Sequence, residues 1–261
     1  MKIAFLTQED RIYVPPFFDE FFRQELADIE VVAVLSSKIM GDRGRVQLMR
    51  ELFCLYGAFG LLRLLLRTAL SWMMQWMPAR TDAKKFYSVR QICRAYHVPH
   101  LRIENPNSEE VLGKIASFSP DLIVSVAFPY ILKENLLSLP PLGCVNVHHA
   151  PLPRYRGMMP TFWQMYHREK QVGVTIHTMI ARVDAGNALL QERLAIVDGE
   201  SLDSLIRRTK RHAAQCMLRV LRQIAQQTQT SWPLESEPGS YFTFPTLAEI
   251  KEFRRCGFRA I

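Results

Sequence analysis

Several familiar signatures are missing from this chain of 261 residues. The opening "MKIAFLTQED" lacks the longer apolar stretch and the small-residue cleavage site of a secretory leader. Five scattered cysteines, Cys54, Cys93, Cys144, Cys216 and Cys256, form no CxxC pair, and their odd number argues against a disulfide framework. Both absences point to the reducing cytoplasm. No GxGxxG follows the first apolar run and no GxxxxGK[ST] occurs anywhere, so the dinucleotide and P-loop readings lose their best support. The histidines and acid that could hold a metal, His148, His149, His167, His177 and Asp184, fit no standard zinc spacing, and no metal is expected. Acidic residues are in deficit, 25 against 33 basic, giving a formal charge of +8 that favours anionic partners. The densest basic run, "RRTKRH" at 207–212, reads as a solvated helical face without any RNA-module signature, so no stable nucleic-acid complex is expected.

What is present is globular. A hydrophobic content of 48% with 22% charged residues excludes disorder and supplies one substantial core. "KIAFL" and "VVAVLSS" (31–37) read as strands, and the aromatics of "PPFFDEFFRQEL" between them recur at helical spacing. Helices are expected over 87–98, over 108–118 behind a capping Ser108, and over 201–227. "DLIVSVAF" (121–128) is apolar throughout, as a strand buried on both faces is, and "GCVNVH" (143–148) follows it as another. "VGVTIHTM" (172–179) and "ALLQERLAI" (188–196) alternate more and are expected to pair. The alternation predicts an α/β fold, a doubly wound and mostly parallel sheet. Residues 1–227 would form the main domain and 228–261 a C-terminal extension, loop-like before a short helix at "TLAEIKEFRR".

Residues 48–77 break the pattern, being too apolar for a surface loop. Arg63 and Arg67 fall in the middle and would be costly in a membrane span. With Ser71 and Gln75 they recur every fourth residue and form one narrow polar stripe on a helix. The reading favoured is a helical insertion buried against the core or in a homodimer interface. The alternative is contact with a lipid or a membrane surface, the arginines at the headgroups and Trp72 and Trp76 at the interface.

The chemistry concentrates in "NVHHAPLPRYRG" (146–157), at the carboxyl end of an expected buried strand, where α/β sheets bind ligands. Residues two apart on a strand share a side, so Asn146 and His148 project together and His149 away. An asparagine amide can donate to a developing oxyanion, and a histidine can move a proton near neutral pH. Asp184, in "RVDAGN" thirty-six residues after His148, could orient that histidine. From the residues alone, each also has a structural reading: a buried histidine, a turn asparagine, an Asx residue in a turn closed by Gly186.

"GCVNVHHAPLPRYRG" followed by "GVTIHTMIARVDAGNALLQ" resembles the folate-dependent formyltransferases, with "PDLIVSVAFPYIL" (120–132) and, more weakly, "MKIAFL" extending the likeness over most of residues 1–200. The resemblance implies a Rossmann-like formyltransferase fold and an enzyme moving a formyl group from formyl-tetrahydrofolate to a primary amine. Asn146 would stabilise the oxyanion, His148 would assist proton transfer, and Asp184 would hold His148 and help deprotonate the amine. The donor would lie against Ala127, Phe128, Pro129, Tyr130 and Ile131 and the loop holding Asp184 and Gly186. Arg154 and Arg156 would meet a phosphate of the acceptor or the folate tail. Ala150 replaces a serine common in the family, and "FLTQED" replaces a Gly-Thr pair of the tRNA-specific members. Those members carry a second, barrel-type domain for which the 34 residues from 228 to 261 are too few, so a small amine, foremost an amino sugar on a nucleotide or a lipid, is the expected acceptor. A truncated methionyl-tRNA formyltransferase, a formyl-folate hydrolase and a non-catalytic folate-binding module are the alternatives. The location expected is the cytoplasm, with membrane association left open by 48–77.

Overall fold

In β1 (Lys2–Gln8), Ile3 and Phe5 turn to one side while Ala4 and Leu6 turn to the other, and all four are fully buried. A strand buried on both faces needs a helical layer on each. The computed structural model, which describes residues 1–24, 29–37, 45–77, 80–83, 85–234 and 239–261, supplies both. One layer holds α1 (Pro15–Phe22), α3 (Val89–Ala95) and α7 (Leu202–Ala225); the other holds α4 (Glu109–Ser117) and α5 (Glu134–Leu137). Pro15 starts α1 with its φ already helical, and Phe17, Phe18 and Phe21 close edge-on around Phe5 or one another at ring separations of 5.0–6.3 Å. The side chain of Ser108 caps α4 as expected, accepting from Val111 N.

The sheet has seven strands. With β2 (Glu30–Ser36), β3 (His100–Ile103), β4 (Leu122–Val126), β5 (Cys144–His148), β7 (Gln171–Thr178) and β8 (Ala188–Ala195), the order is β3-β2-β1-β4-β5-β7-β8. The first five strands are parallel, β7 runs against β5 and β8 against β7, the last two pairing as expected. Chain direction across the sheet reverses between β1 and β4. The carboxyl ends of β1, β4 and β5 therefore flank the crevice where such sheets bind ligands.

Described residues beyond 227 are built into the body. A short β6 (Arg156–Gly157) pairs in parallel with β9 (Tyr241–Phe242). Ile250 and Phe253 of α8 (Leu247–Arg255) are buried with Phe162 of α6 (Pro160–Tyr166), the two phenylalanine rings stacking at 4.7 Å.

Residues 48–74 of the apolar segment lie within helix α2 (Arg45–Met74), which is interrupted at Gly57, where φ is 68° and ψ 177°, and 75–77 follow it as a turn. A side chain there would be strained and would lie about 3.4 Å from the Arg254 guanidinium. The polar stripe faces inward, opposite to a membrane-facing arrangement of both arginines. Ser71 donates to the Tyr87 carbonyl, Gln75 Oε1 accepts from Arg11 at 2.8 Å, and Arg67 pairs with Asp203 at 3.0 Å. These loops and α7 offer polar partners, so the polar row packs against protein. The apolar row is left outside, with Phe59 79%, Trp72 61% and Trp76 66% exposed; a helix covered by the core of its own chain is not what forms. Arg63 alone of the stripe is exposed.

Candidate functional site

Three apolar strands each carry one polar residue at the same level. In register, Ser125 of β4 sits beside Asn146 of β5, and Asn146 beside His177 of β7. Their neighbours Val124, Val145, Val147, Val174 and Ile176 pack under the α1/α7 layer, so the period of two sends Ser125, Asn146 and His177 to the other face. One step on, His148 lies opposite Thr175 on that same face.

Asp184 reaches this row from the β7–β8 connection. Its Oδ2 accepts from Gly157 N at 2.9 Å and lies 3.6 Å from His148 Nδ1. Its Oδ1 lies 3.4 Å from Asn146 Nδ2 and 3.6 Å from His177 Nε2. Burial by itself would raise the carboxyl's pKa, but His148, His177 and the Gly157 N–H outweigh it and hold the group well below the usual carboxylate range. Asp184 is therefore ionised across physiological pH. Gly186, two residues on, packs against the Thr178 carbonyl so tightly that a Cβ would sit 1.7 Å from its oxygen. Its role in the structure is to let the Asp184 loop close on β7.

The ring of His148 is oriented from both ends. Nε2 donates to the Tyr155 carbonyl at 2.8 Å, which leaves Nδ1 as the lone-pair nitrogen facing Asp184. Burial lowers the His148 pKa below its ordinary value, against the pull of Asp184 and of the Tyr155 carbonyl. The imidazole is neutral at pH 7, with its basic nitrogen turned to a carboxylate. A proton arriving at Nδ1 would convert a lone-pair contact into a charge-assisted hydrogen bond. His177, which the sequence placed in a strand with no part in the Asn146, His148, Asp184 set, belongs to the site. Its Nδ1 donates to the Thr178 carbonyl at 2.9 Å, so Nε2 accepts from Asn146 Nδ2 at 3.2 Å and fixes that amide.

A cavity of about 530 Å³ opens over this row. Asn146, His148 and Asp184 line it, as do all five residues from Ala127 to Ile131. Phe128, Ile131, Leu132, Leu137 and Met179 supply apolar lining, while Gln8, His149 and Lys210 supply polar lining. Neither Arg154 nor Arg156 lines the cavity. Arg154 is held by Glu169 and stacks over Tyr155, and Arg156 lies in the β6–β9 pair. Ala150, the substituted serine position, is fully buried outside the cavity, its carbonyl accepting from Thr175 Oγ1 at 2.6 Å.

Two cavity residues run against the sequence reading. His149 was expected to point away from His148, yet both line the cavity, because β5 ends at His148 and the alternation of a strand ends with it. Both ring nitrogens of His149 are buried without a hydrogen-bond partner among the described residues. Burial, together with Lys210 and His148, keeps its pKa well below the ordinary histidine value. Lys210 lies in the run read as a solvated face but is only 6% exposed. Burial pushes its pKa down to about 8, opposed by Asp10. Its signal was position: Lys210 falls on the buried stripe of α7 with Leu202, Leu205, Ala213 and Met217. Among the described residues, one trio with ligand atoms close enough for a metal, Glu192, His212 and Cys216, lies outside this cavity, and Glu192 is already paired with Arg219 and His212.

Residues 77–221 match the model of a protein family described as "Formyl transferase". The methionyl-tRNA formyltransferase of Syntrophus aciditrophicus (strain SB) is 40% identical over 156 residues, 59% of this chain and 49% of that protein. The chain thus spans about half the length, or less, of the curated relatives it matches. Among solved structures, WlaRD, a sugar 3N-formyl transferase crystallised in the presence of dTDP and 5-N-formyl-THF, superimposes with a TM-score of 0.60 at 13% identity, over 100% of this chain and 82% of that one. Phosphoribosylglycinamide formyltransferase from Anaplasma phagocytophilum gives 0.59 at 15% identity, over 93% and 97%. At these identities the likeness is one of fold.

Proposed function

The chain belongs to the formyl transferase family, and on that premise we propose that it transfers a formyl group from formyl-tetrahydrofolate to the primary amine of a small acceptor, an amino sugar carried on a nucleotide or a lipid. The observation that carries the reading is the convergence of Asn146 and His148, from the end of β5, and Asp184, from the β7–β8 connection, on one cavity. The cavity suits the donor. The strand-end segment Ala127–Ile131 and its apolar neighbours offer a slot for a flat heterocycle, with backbone groups at its edge. When bound there, the donor supplies a formyl carbon open to attack by an amine.

The chain's own groups then have distinct tasks. Asn146 presents amide hydrogens, now directed to Asp184 and His177, toward the charge that develops on the formyl oxygen; the 3.4 Å contact to Asp184 is the weaker and the one to give up. As nitrogen bonds to the formyl carbon, the attacking amine must shed a proton. His148 Nδ1, neutral and unprotonated, can take it, and the ionised Asp184 stabilises the imidazolium that results. The carbon–nitrogen bond to the donor then breaks, and a proton returns to the departing nitrogen. Lys210 and Gln8 in the cavity lining suit an acceptor that carries phosphate and hydroxyl groups.

A second reading has its own support. The 40% identity to a methionyl-tRNA formyltransferase makes the amine of an initiator methionyl-tRNA the competing acceptor. Incubation with formyl-tetrahydrofolate and a panel of nucleotide-linked amino sugars, free amino sugars and initiator methionyl-tRNA, followed by mass measurement, tests both. A gain of one formyl group on an amino sugar supports the first reading and on the tRNA the second. Release of formate without any formylated product would mark a hydrolase. A folded protein that binds no non-reactive formyl-folate analogue in calorimetry would remove the basis of both acceptor readings.

A further inference from the structure

We propose that the outward face of α2 seats the protein on an anionic membrane surface. From residue 58 to 77 every outward position is apolar except Arg63: Phe59, Leu62, Leu66, Trp72, Met73 and Trp76 are each more than half exposed. A contiguous surface of that kind is uncommon on a soluble monomer and marks a place of contact. By length and composition, Val46–Met74 could also cross a membrane. Its inward row excludes that arrangement. Ser71, Gln75 and Arg67 are bonded to Tyr87, Arg11 and Asp203, and the helix breaks at Gly57. A helix fixed to the body along one side and bare along the other can lie in an interface but not span it.

Charge chooses the occupant. Residues 45–82 contain Arg45, Arg50, Arg63, Arg67 and Arg80 against two acids, Glu51 and Asp82, a net of +3; Arg67 is turned inward to Asp203 and Arg80 lies 3.3 Å from Asp82. Arg50 and Arg63 are exposed alongside the apolar face, and Arg254, of the neighbouring α8, adds a guanidinium at the Gly57 break. A second copy of this face would bring Arg50 and Arg63 against arginines, since Asp82 is already paired with Arg80 and Glu51 accepts from Gln47. Anionic headgroups would meet the arginines, while Trp72 and Trp76 occupy the level that amphipathic rings favour.

The full chain is tested by cosedimentation with vesicles of phosphatidylcholine alone and of phosphatidylcholine with phosphatidylglycerol. The wild type is expected to pellet with the anionic vesicles, more weakly with the neutral ones and less as salt is raised. Arg50→Glu with Arg63→Glu should lower partitioning to anionic vesicles by about tenfold or more. Trp72→Glu with Trp76→Glu should leave the protein in the supernatant, with an unchanged far-UV dichroism spectrum and melting temperature because both positions are exposed. As a second readout, vesicles should blue-shift the tryptophan emission of the wild type, and Trp72→Phe with Trp76→Phe should remove the shift while the protein still pellets. A wild type that stays in the supernatant with anionic vesicles overturns the proposal, whether it sediments as a monomer or as a dimer closed over α2. Binding that is indifferent to both glutamate pairs overturns it as well.

Discussion

Replacing Lys210 by methionine should stabilise the fold at neutral pH. The amine is 6% exposed, and burial pushes its pKa from 10.5 down to about 8. At pH 7 it is charged in both the folded and unfolded states, so the folded state carries the full cost of a poorly solvated ammonium. A shift of that size corresponds to about 3 kcal/mol, with Asp10's opposing attraction already included. Methionine keeps most of the side-chain volume and needs no partner. Urea unfolding of wild type and Lys210→Met at pH 7 should therefore favour the variant by about 3 kcal/mol. The sign of the pH dependence follows from the direction of the shift. Between pH 8 and 10.5 the unfolded chain binds the proton that the folded chain has released, so wild-type stability rises through that window relative to the variant. The gap should close by about pH 10.5, other alkaline titrations cancelling because both proteins share them. If the two unfold within about 0.5 kcal/mol of each other at pH 7, and the difference does not change up to pH 10, the amine is solvated and the argument fails. Activity should move the other way, with a raised KM for a phosphorylated acceptor in a protein that is more stable.

His148→Ala and Asp184→Ala should each lower turnover by about a hundredfold or more, and the double variant should lose little beyond either single one, as single-turnover kinetics would show. The acid limb of kcat/KM should fall below the ordinary histidine pKa, because burial lowers that of His148; a midpoint above it would contradict a neutral base. Asp184 has a depressed pKa in the folded state, so its contribution to stability is present above the unfolded carboxyl value and is lost as pH falls below about 4; acid titration against Asp184→Asn should show the two proteins converging there. Gly186→Ala should destabilise by roughly 2 kcal/mol or more, read as a lower melting temperature, since its Cβ would enter the Thr178 carbonyl.

The strands, the helices and the Asn146, His148, Asp184 set were legible because each depends on local period or motif spacing. The residues missed depend on registry between segments far apart in sequence. His177 is one histidine in an alternating strand until β7 is laid against β5, when it falls beside Asn146. Ser125 is the single polar residue of β4 and has no meaning until the same alignment is made. In α2 the stripe was found but its direction was not. Period fixes which residues share a face, whereas the partners that attract that face, Arg11, Tyr87 and Asp203, come from other parts of the chain. Lys210 was hidden by composition, since five basic residues in six look solvated until the buried stripe of α7 is drawn through one of them.

The pairing of β6 with β9 makes the boundary of the chemistry different from the boundary of the sheet. Gly157 N, which donates to Asp184, belongs to a stretch held in place by Ser240 and Phe242: Arg156 N donates to the Ser240 carbonyl at 2.9 Å, and Met158 N to the Phe242 carbonyl at 2.8 Å. A protein shortened after Ala225 would retain all seven sheet strands and every residue of the Asn146, His148, Asp184 set, yet its loop over the carboxylate would have nothing to align against. Swapping this region for that of a relative, or fusing another protein within it, would change how tightly the carboxylate is gripped. The unit that can be exchanged as a module therefore runs through β9 to α8, whose Ile250 and Phe253 are buried with Phe162, well past the last strand of the main sheet.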